Sequence, residues 1–131
     1  MKQIIHTSKA PKAIGPYSQA VAAPAPGAML FLSGQIALDP ASGQMVGASA
    51  AAEARQALTN LRHVVEAAGF SLADVVKTTV YLARMEDFPA VNEVYAGFFE
   101  GTPPPARATV GVAALPKGAR VEVDAICVLG G

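Results

Sequence analysis

The chain has 131 residues, with ten lysines and arginines against ten aspartates and glutamates, 15% charged residues and 52% hydrophobic ones. That length fits one domain over residues 1–131, and balanced charge with no block of one sign offers no electrostatic footprint for nucleic acid or an anionic membrane. A single cysteine, Cys127, rules out an intrachain disulfide.

A short strand is expected over residues 3–6, then an ordered loop through Pro11, Gly15 and Pro16, and a second strand over residues 17–22. Pro24 to Gly27 reads as a turn. The run A-M-L-F-L-S-G-Q at 28–35 is a third strand, with Leu30 and Leu32 on one face and Met29 and Phe31 on the other, so both faces need cover. The apolar stretch from Val21 to Leu32 is broken by prolines and glycine, and it falls short of the about 20 residues a bilayer span needs. D-P-A-S-G-Q supplies a turn.

Over residues 50–68 the period becomes helical. Leu58, Leu61, Val65 and Ala68 form one stripe, Arg62 and Glu66 pair one turn apart, and Gly69 is the stop. Residues 74–83 read as a strand, and residues 88–99 as a second helix with Phe88, Val91, Tyr95 and Phe98 on one face and Pro89 in its first turn. Strands over 106–112 and 120–129, joined by L-P-K-G-A, close the chain. In the last strand Val121, Val123, Ala125 and Cys127 share a face, leaving Arg120, Glu122 and Asp124 on the other.

The order β-β-β-α-β-α-β-β describes an α+β domain, with a sheet of about six strands covered on one face by two helices. With so little charge, the other face is expected to pack against further copies of the chain. The N-terminal M-K-Q-I-I-H-T-S-K has no apolar signal core, so a soluble, cytoplasmic protein is expected.

The motifs C-x-x-C, H-E-x-x-H, G-x-x-x-x-G-K-[ST], G-x-S-x-G and G-x-G-x-x-G do not occur. His6 and His63 lie far apart in sequence, and Cys127 sits on the apolar side of its strand, where a core thiol is expected. Arg107 and Glu122 remain. P-P-P-A-R holds Arg107 on a stiff lead-in, and the alternation of R-V-E-V-D-A-I could turn Glu122 toward the same region. Residue types alone leave a catalytic site and a structural ion pair equally open.

Eight stretches in order run through the chain: A-I-G-P-Y-S-Q, L-S-G-Q-I, V-E-A-A-G, D-V-V-K-T-T-V, F-P-A-V-N-E-V-Y, P-A-R-A-T-V, L-P-K-G and V-E-V-D-A-I. Together they resemble the RidA (YjgF-type) family over nearly the whole length. The resemblance implies a chorismate-mutase-like α+β fold, a homotrimer with sites between subunits, no cofactor, and hydrolysis of small 2-imino acids to 2-keto acids and ammonia. It also implies that Arg107 holds the substrate carboxylate and that Glu122 activates water. Tyr17, Ser33, Gly34 and Asn92 would line the substrate site. Thr109 stands where many members have cysteine, with its hydroxyl able to bond to substrate. The alternative is a non-catalytic trimer that binds keto or amino acids or acts as a chaperone.

Overall fold

The computed structural model describes residues 2–10, 12–23 and 26–130. Among them six strands and two helices follow in the expected order: β1 (Gln3–Ile5), β2 (Ala20–Ala22), β3 (Pro26–Gln35), α1 (Ala50–Ala67), β4 (Val75–Leu82), α2 (Phe88–Phe98), β5 (Ala106–Gly111) and β6 (Val121–Gly130). The class is α+β, but the strands divide. β3, β6, β4 and β5 form one sheet in that order, while β1 and β2 pair with each other as an antiparallel ribbon.

The division begins at Tyr17 and Ser18, which the sequence pattern assigns to the second strand. Pro16 has no N–H for a ladder. Tyr17 N–H turns back to the Gly15 carbonyl at 2.8 Å, and Ser18 N–H is taken by the Pro105 carbonyl at 3.1 Å. The chain therefore runs as a loop until Ala20. Pro11 in the preceding loop, and Pro24 and Ala25 in the expected turn, lie outside the described residues.

Ser49 caps α1, its Oγ accepting from Ala52 N–H at 3.2 Å. Gly69, at φ +84°, ends the helix in the left-handed conformation that glycine adopts without a Cβ clash, and the Gly69 and Phe70 amides take up the free carbonyls of Glu66 and Val65. Arg62, expected to pair with Glu66, instead lies over the Phe98 ring at 5.7 Å and links the two helices.

β3 and β4 each run antiparallel to β6, and β5 joins β4 in parallel through α2. Both helices cover one face of this sheet. Leu58, Leu61 and Val65 of α1 and Val91 and Tyr95 of α2 close on Val80, Leu82, Val121 and Val123. Truncating one such leucine to alanine costs about 2–5 kcal/mol. Cys127 is a free thiol within this core, its pKa pushed up to about 11 by burial. Buried Glu53 accepts from both the backbone N–H and the guanidinium of Arg120, tying the first turn of α1 to the start of β6.

The opposite face of the sheet has no helix. Leu30 and Leu32 point toward the helices, whereas Met29 and Phe31 are 52% and 68% exposed on the open side. Among the described residues no helix is long and apolar enough to cross a membrane.

Candidate active site

Arg107 lies on β5, an edge strand, directly opposite Thr78 of β4. That register points it to the helix side, where α2 presents Phe88, Asn92 and Tyr95 at helical spacing. Arg107 Nη1 donates to Asn92 Oδ1 at 2.6 Å. Its Cζ stands 4.8 Å from the centre of the Tyr95 ring, 5.5 Å from Tyr17 and 5.7 Å from Phe88. Burial pulls its pKa down from the ordinary arginine value, and the neighbouring Tyr95 and Tyr17 oppose that pull. Among the described residues no carboxylate pairs with it. The guanidinium is thus held by rings and one amide oxygen, with its charge uncompensated.

Arg107, Tyr17, Phe88 and Asn92 bound a cavity of about 310 Å³. Ile14 and Gly15 form its outer rim and Thr109 its strand-side wall. The loop carrying Ile14 is fixed by its own amide, which donates to the Tyr17 hydroxyl at 3.3 Å, and by Ser18, whose Oγ donates to the Pro104 carbonyl. Thr109 Oγ1 is shielded from solvent and finds no partner among the described residues. A wider cleft of about 630 Å³ runs between α1 and α2, lined by Arg55, Arg62 and Glu93 among others.

Glu122 is elsewhere. Thr78 is aligned with both Arg107 and Ala125, whereas Glu122 is aligned with Tyr81. Ala125 lies three positions beyond Glu122, an odd step, so Glu122 projects from the open face and Arg107 from the helix face. The possibility that Glu122 turns toward Arg107 within one chain is closed by this register, and with it the reading of the two as an intrachain ion pair. Glu122 instead lies across Gly34: a Cβ built there would sit 1.8 Å from its Oε2. Ser33 and Gly34 fall where the β3–β6 register slips between Leu32 and Gln35, a bulge that bends the strand and makes room for the carboxylate. Beside it Tyr81 donates to Asp124 Oδ2 at 2.8 Å, a bond that raises the tyrosine pKa.

Of the residues singled out in the sequence, Tyr17, Asn92, Arg107 and Thr109 therefore gather around one cavity, and Ser33, Gly34 and Glu122 around a second locus on the far side of the sheet. His6 and His63 are exposed, and no metal-holding cluster of His, Cys, Asp or Glu occurs among the described residues. The sequence pattern gives Phe88 and Tyr95 a packing role alone. Their i, i+7 spacing about Asn92 is the signal that puts all three on one stripe.

Residues 7–129 match the family model described as endoribonuclease L-PSP. The chain belongs to that family, the RidA/YjgF group its motifs resemble. It is 52% identical to the mouse protein named 2-iminobutanoate/2-iminopropanoate deaminase, across 99% of this chain and 93% of that one. Among solved structures it is similar to E. coli TdcF with bound serine, at 42% identity and a TM-score of 0.76, covering 98% of this chain and 99% of that one. It is also similar to the E. coli YjgF gene product, at 45% identity and a TM-score of 0.74, covering 96% and 98%.

Proposed function

We propose that the protein hydrolyses small 2-imino acids and their enamine tautomers to 2-keto acids and ammonia, in the cytoplasm and without a cofactor, within a homotrimer whose sites lie between neighbours. The observation that carries this is the uncompensated guanidinium of Arg107 in a cavity of about 310 Å³, enough for a small acid. The deaminase names of relatives at about half identity and the serine bound to TdcF support the same ligand class. A nuclease, which the family description mentions, would need a broad basic surface, and this chain has a formal net charge of zero.

In this mechanism the fork of Arg107 holds the substrate carboxylate bidentately, and Tyr17, Asn92 and Thr109 shape the pocket around it. Glu122 of a neighbouring copy, across Ser33 and Gly34, takes a proton from water as its oxygen bonds to the imine carbon. The imine nitrogen gains the protons, the C–N bond breaks with its electron pair leaving on ammonia, and the carbonyl forms. Closure between copies follows from the open sheet face. Each 1,000 Å² of apolar surface buried there is worth roughly 25 kcal/mol before association costs.

Two measurements test this. With a threonine or serine dehydratase generating the imine, the protein should speed keto acid formation in competition with semicarbazide. No acceleration would return the chain to a binding role. Second, an Arg107→Ala chain and a Glu122→Gln chain, each inactive alone, are assembled together. In a ring of three with shared sites, about three-quarters of the trimers are mixed and each regains one intact site, so roughly a quarter of parent activity returns. If both groups served from one chain, none would return.

A further inference from the structure

Taking Arg107 as the carboxylate anchor, we infer that Thr78 and Tyr95 form a buried hydroxyl pair whose role is to aim the Arg107 fork, making both of them positioning residues for substrate binding. Thr78 is 0% exposed and Tyr95 1% exposed, and their hydroxyl oxygens are 2.7 Å apart. Thr78 is also the backbone partner of Arg107 across the parallel β4–β5 ladder, and the Tyr95 ring is the nearest of the three around the guanidinium, at 4.8 Å. The contacts close a circuit. β4 fixes the start of the arginine side chain, the hydroxyl bond fixes the ring to β4, and the ring fixes the end of the arginine, while Asn92 on the same helix takes one of its N–H groups.

Stability alone gives little reason for this pair. Replacing both partners of a buried hydrogen bond by apolar groups of the same shape is close to neutral, so valine and phenylalanine would fill the space equally well. The hydroxyl bond adds direction: it prevents the ring from sliding along the arginine plane. A long side chain with several rotatable bonds needs such a stop to present a planar fork, because a fork held out of line binds a carboxylate less well. Tyr95 keeps its proton, with its pKa pushed up to about 12 mainly by burial, so it supports the guanidinium without cancelling its charge.

The experiment compares Thr78→Val, Tyr95→Phe, the double variant, Thr78→Ser and Arg107→Ala, using the assembled protein, 2-oxobutanoate binding by calorimetry, steady-state kinetics and melting temperature. Each single variant strands one hydroxyl and should melt earlier, and the double variant should melt near the parent. The double variant should nevertheless bind 2-oxobutanoate about tenfold more weakly and raise KM by a similar factor with kcat little changed. Thr78→Ser, which retains the hydroxyl, should bind as the parent does. A double variant with parent-like binding, while Arg107→Ala has lost it, overturns the positioning pair alone, as does weakened binding in Thr78→Ser. Parent-like binding by Arg107→Ala overturns the anchor and the pair with it.

Discussion

The surroundings of Arg107 and those of Glu122 are built on different plans. Arg107 is half-buried, stacked among three rings and bonded to Asn92, with a closed hydroxyl pair behind it. Glu122 stands on the uncovered face of the same sheet, lying across a glycine with exposed Phe31 and Met29 on the neighbouring strand. One group is organised by its own chain. The other lies on the open face of the sheet, and under the proposed function the two become a single site only when copies assemble.

The strongest way to break this comparison is to keep copies apart. Phe31→Glu puts a charge on the open face without touching the helix-side core, and activity should vanish in step with the shift to monomer seen by sedimentation. A fully active monomer would overturn the shared site. Phe31 is the residue for this experiment because Leu30 and Leu32 face the helices. A charge at Leu32 would damage the protomer itself.

Next in size are the two charged groups, which should fail differently. Glu122→Gln keeps the shape but cannot take a proton, so kcat should fall by about 10²–10⁴ with KM little changed. Arg107→Lys keeps the charge but loses the planar fork, so binding of substrate and of 2-oxobutanoate should weaken sharply. A Glu122→Gln effect confined to KM would remove it as the base, and near-parent kinetics in Arg107→Lys would make that residue structural.

Gly34→Ala acts on the Glu122 locus alone. The added methyl would overlap the carboxylate, whose flexible end can swing away, so the fold should hold while kcat falls by at least about tenfold. Unchanged kcat would mean that the position of Glu122 over Gly34 is irrelevant to the reaction.

Much of the fold is legible in the chain because its signals are local. Gly69 stops α1 in the left-handed conformation, and the apolar stripe of α2 predicts what it buries. The site is legible only as a collection of residues, because its geometry depends on non-local register. Alternation within β6 shows that Glu122 and Val123 face opposite ways, but not which of these directions Arg107 on β5 shares. That is settled by β4, which lies between the two strands. The ribbon of β1 and β2 is hidden for a similar reason: the partners of Tyr17 and Ser18 include Pro105, almost ninety positions away.

A smaller effect probes the interior behind Arg107. Burial raises the Tyr95 pKa from 10.0 to about 12 and the Cys127 pKa from 9.0 to about 11. The folded chain holds both protons longer than the unfolded chain, so their contribution is whole below pH 9 and is lost as pH rises from 9 to 12, by up to about 1.4 kcal/mol per pH unit for each group. Denaturant titrations should show this decline. Cys127→Ala should flatten it between pH 9 and 11 and Tyr95→Phe between pH 10 and 12, whereas equal slopes in parent and variants would mean that neither group titrates on unfolding.

The smallest expected change concerns Thr109, on the same wall as Arg107. Its Oγ1 is covered and has no partner among the described residues, a condition that costs about 1–3 kcal/mol for a buried polar group. Valine has nearly the same shape, lacks the hydroxyl and suits an edge strand equally well. Thr109→Val should therefore stabilise the protein by about 1 kcal/mol, seen as a rise of a few degrees in Tm, and leave kcat/KM within about twofold of the parent. The hydroxyl would then lie outside the reaction and Thr109 would serve by its shape. A fall in kcat/KM of tenfold or more, with Tm unchanged, would instead mean that substrate binding gives this oxygen the partner it lacks, and that the wall beside Arg107 is completed by its ligand.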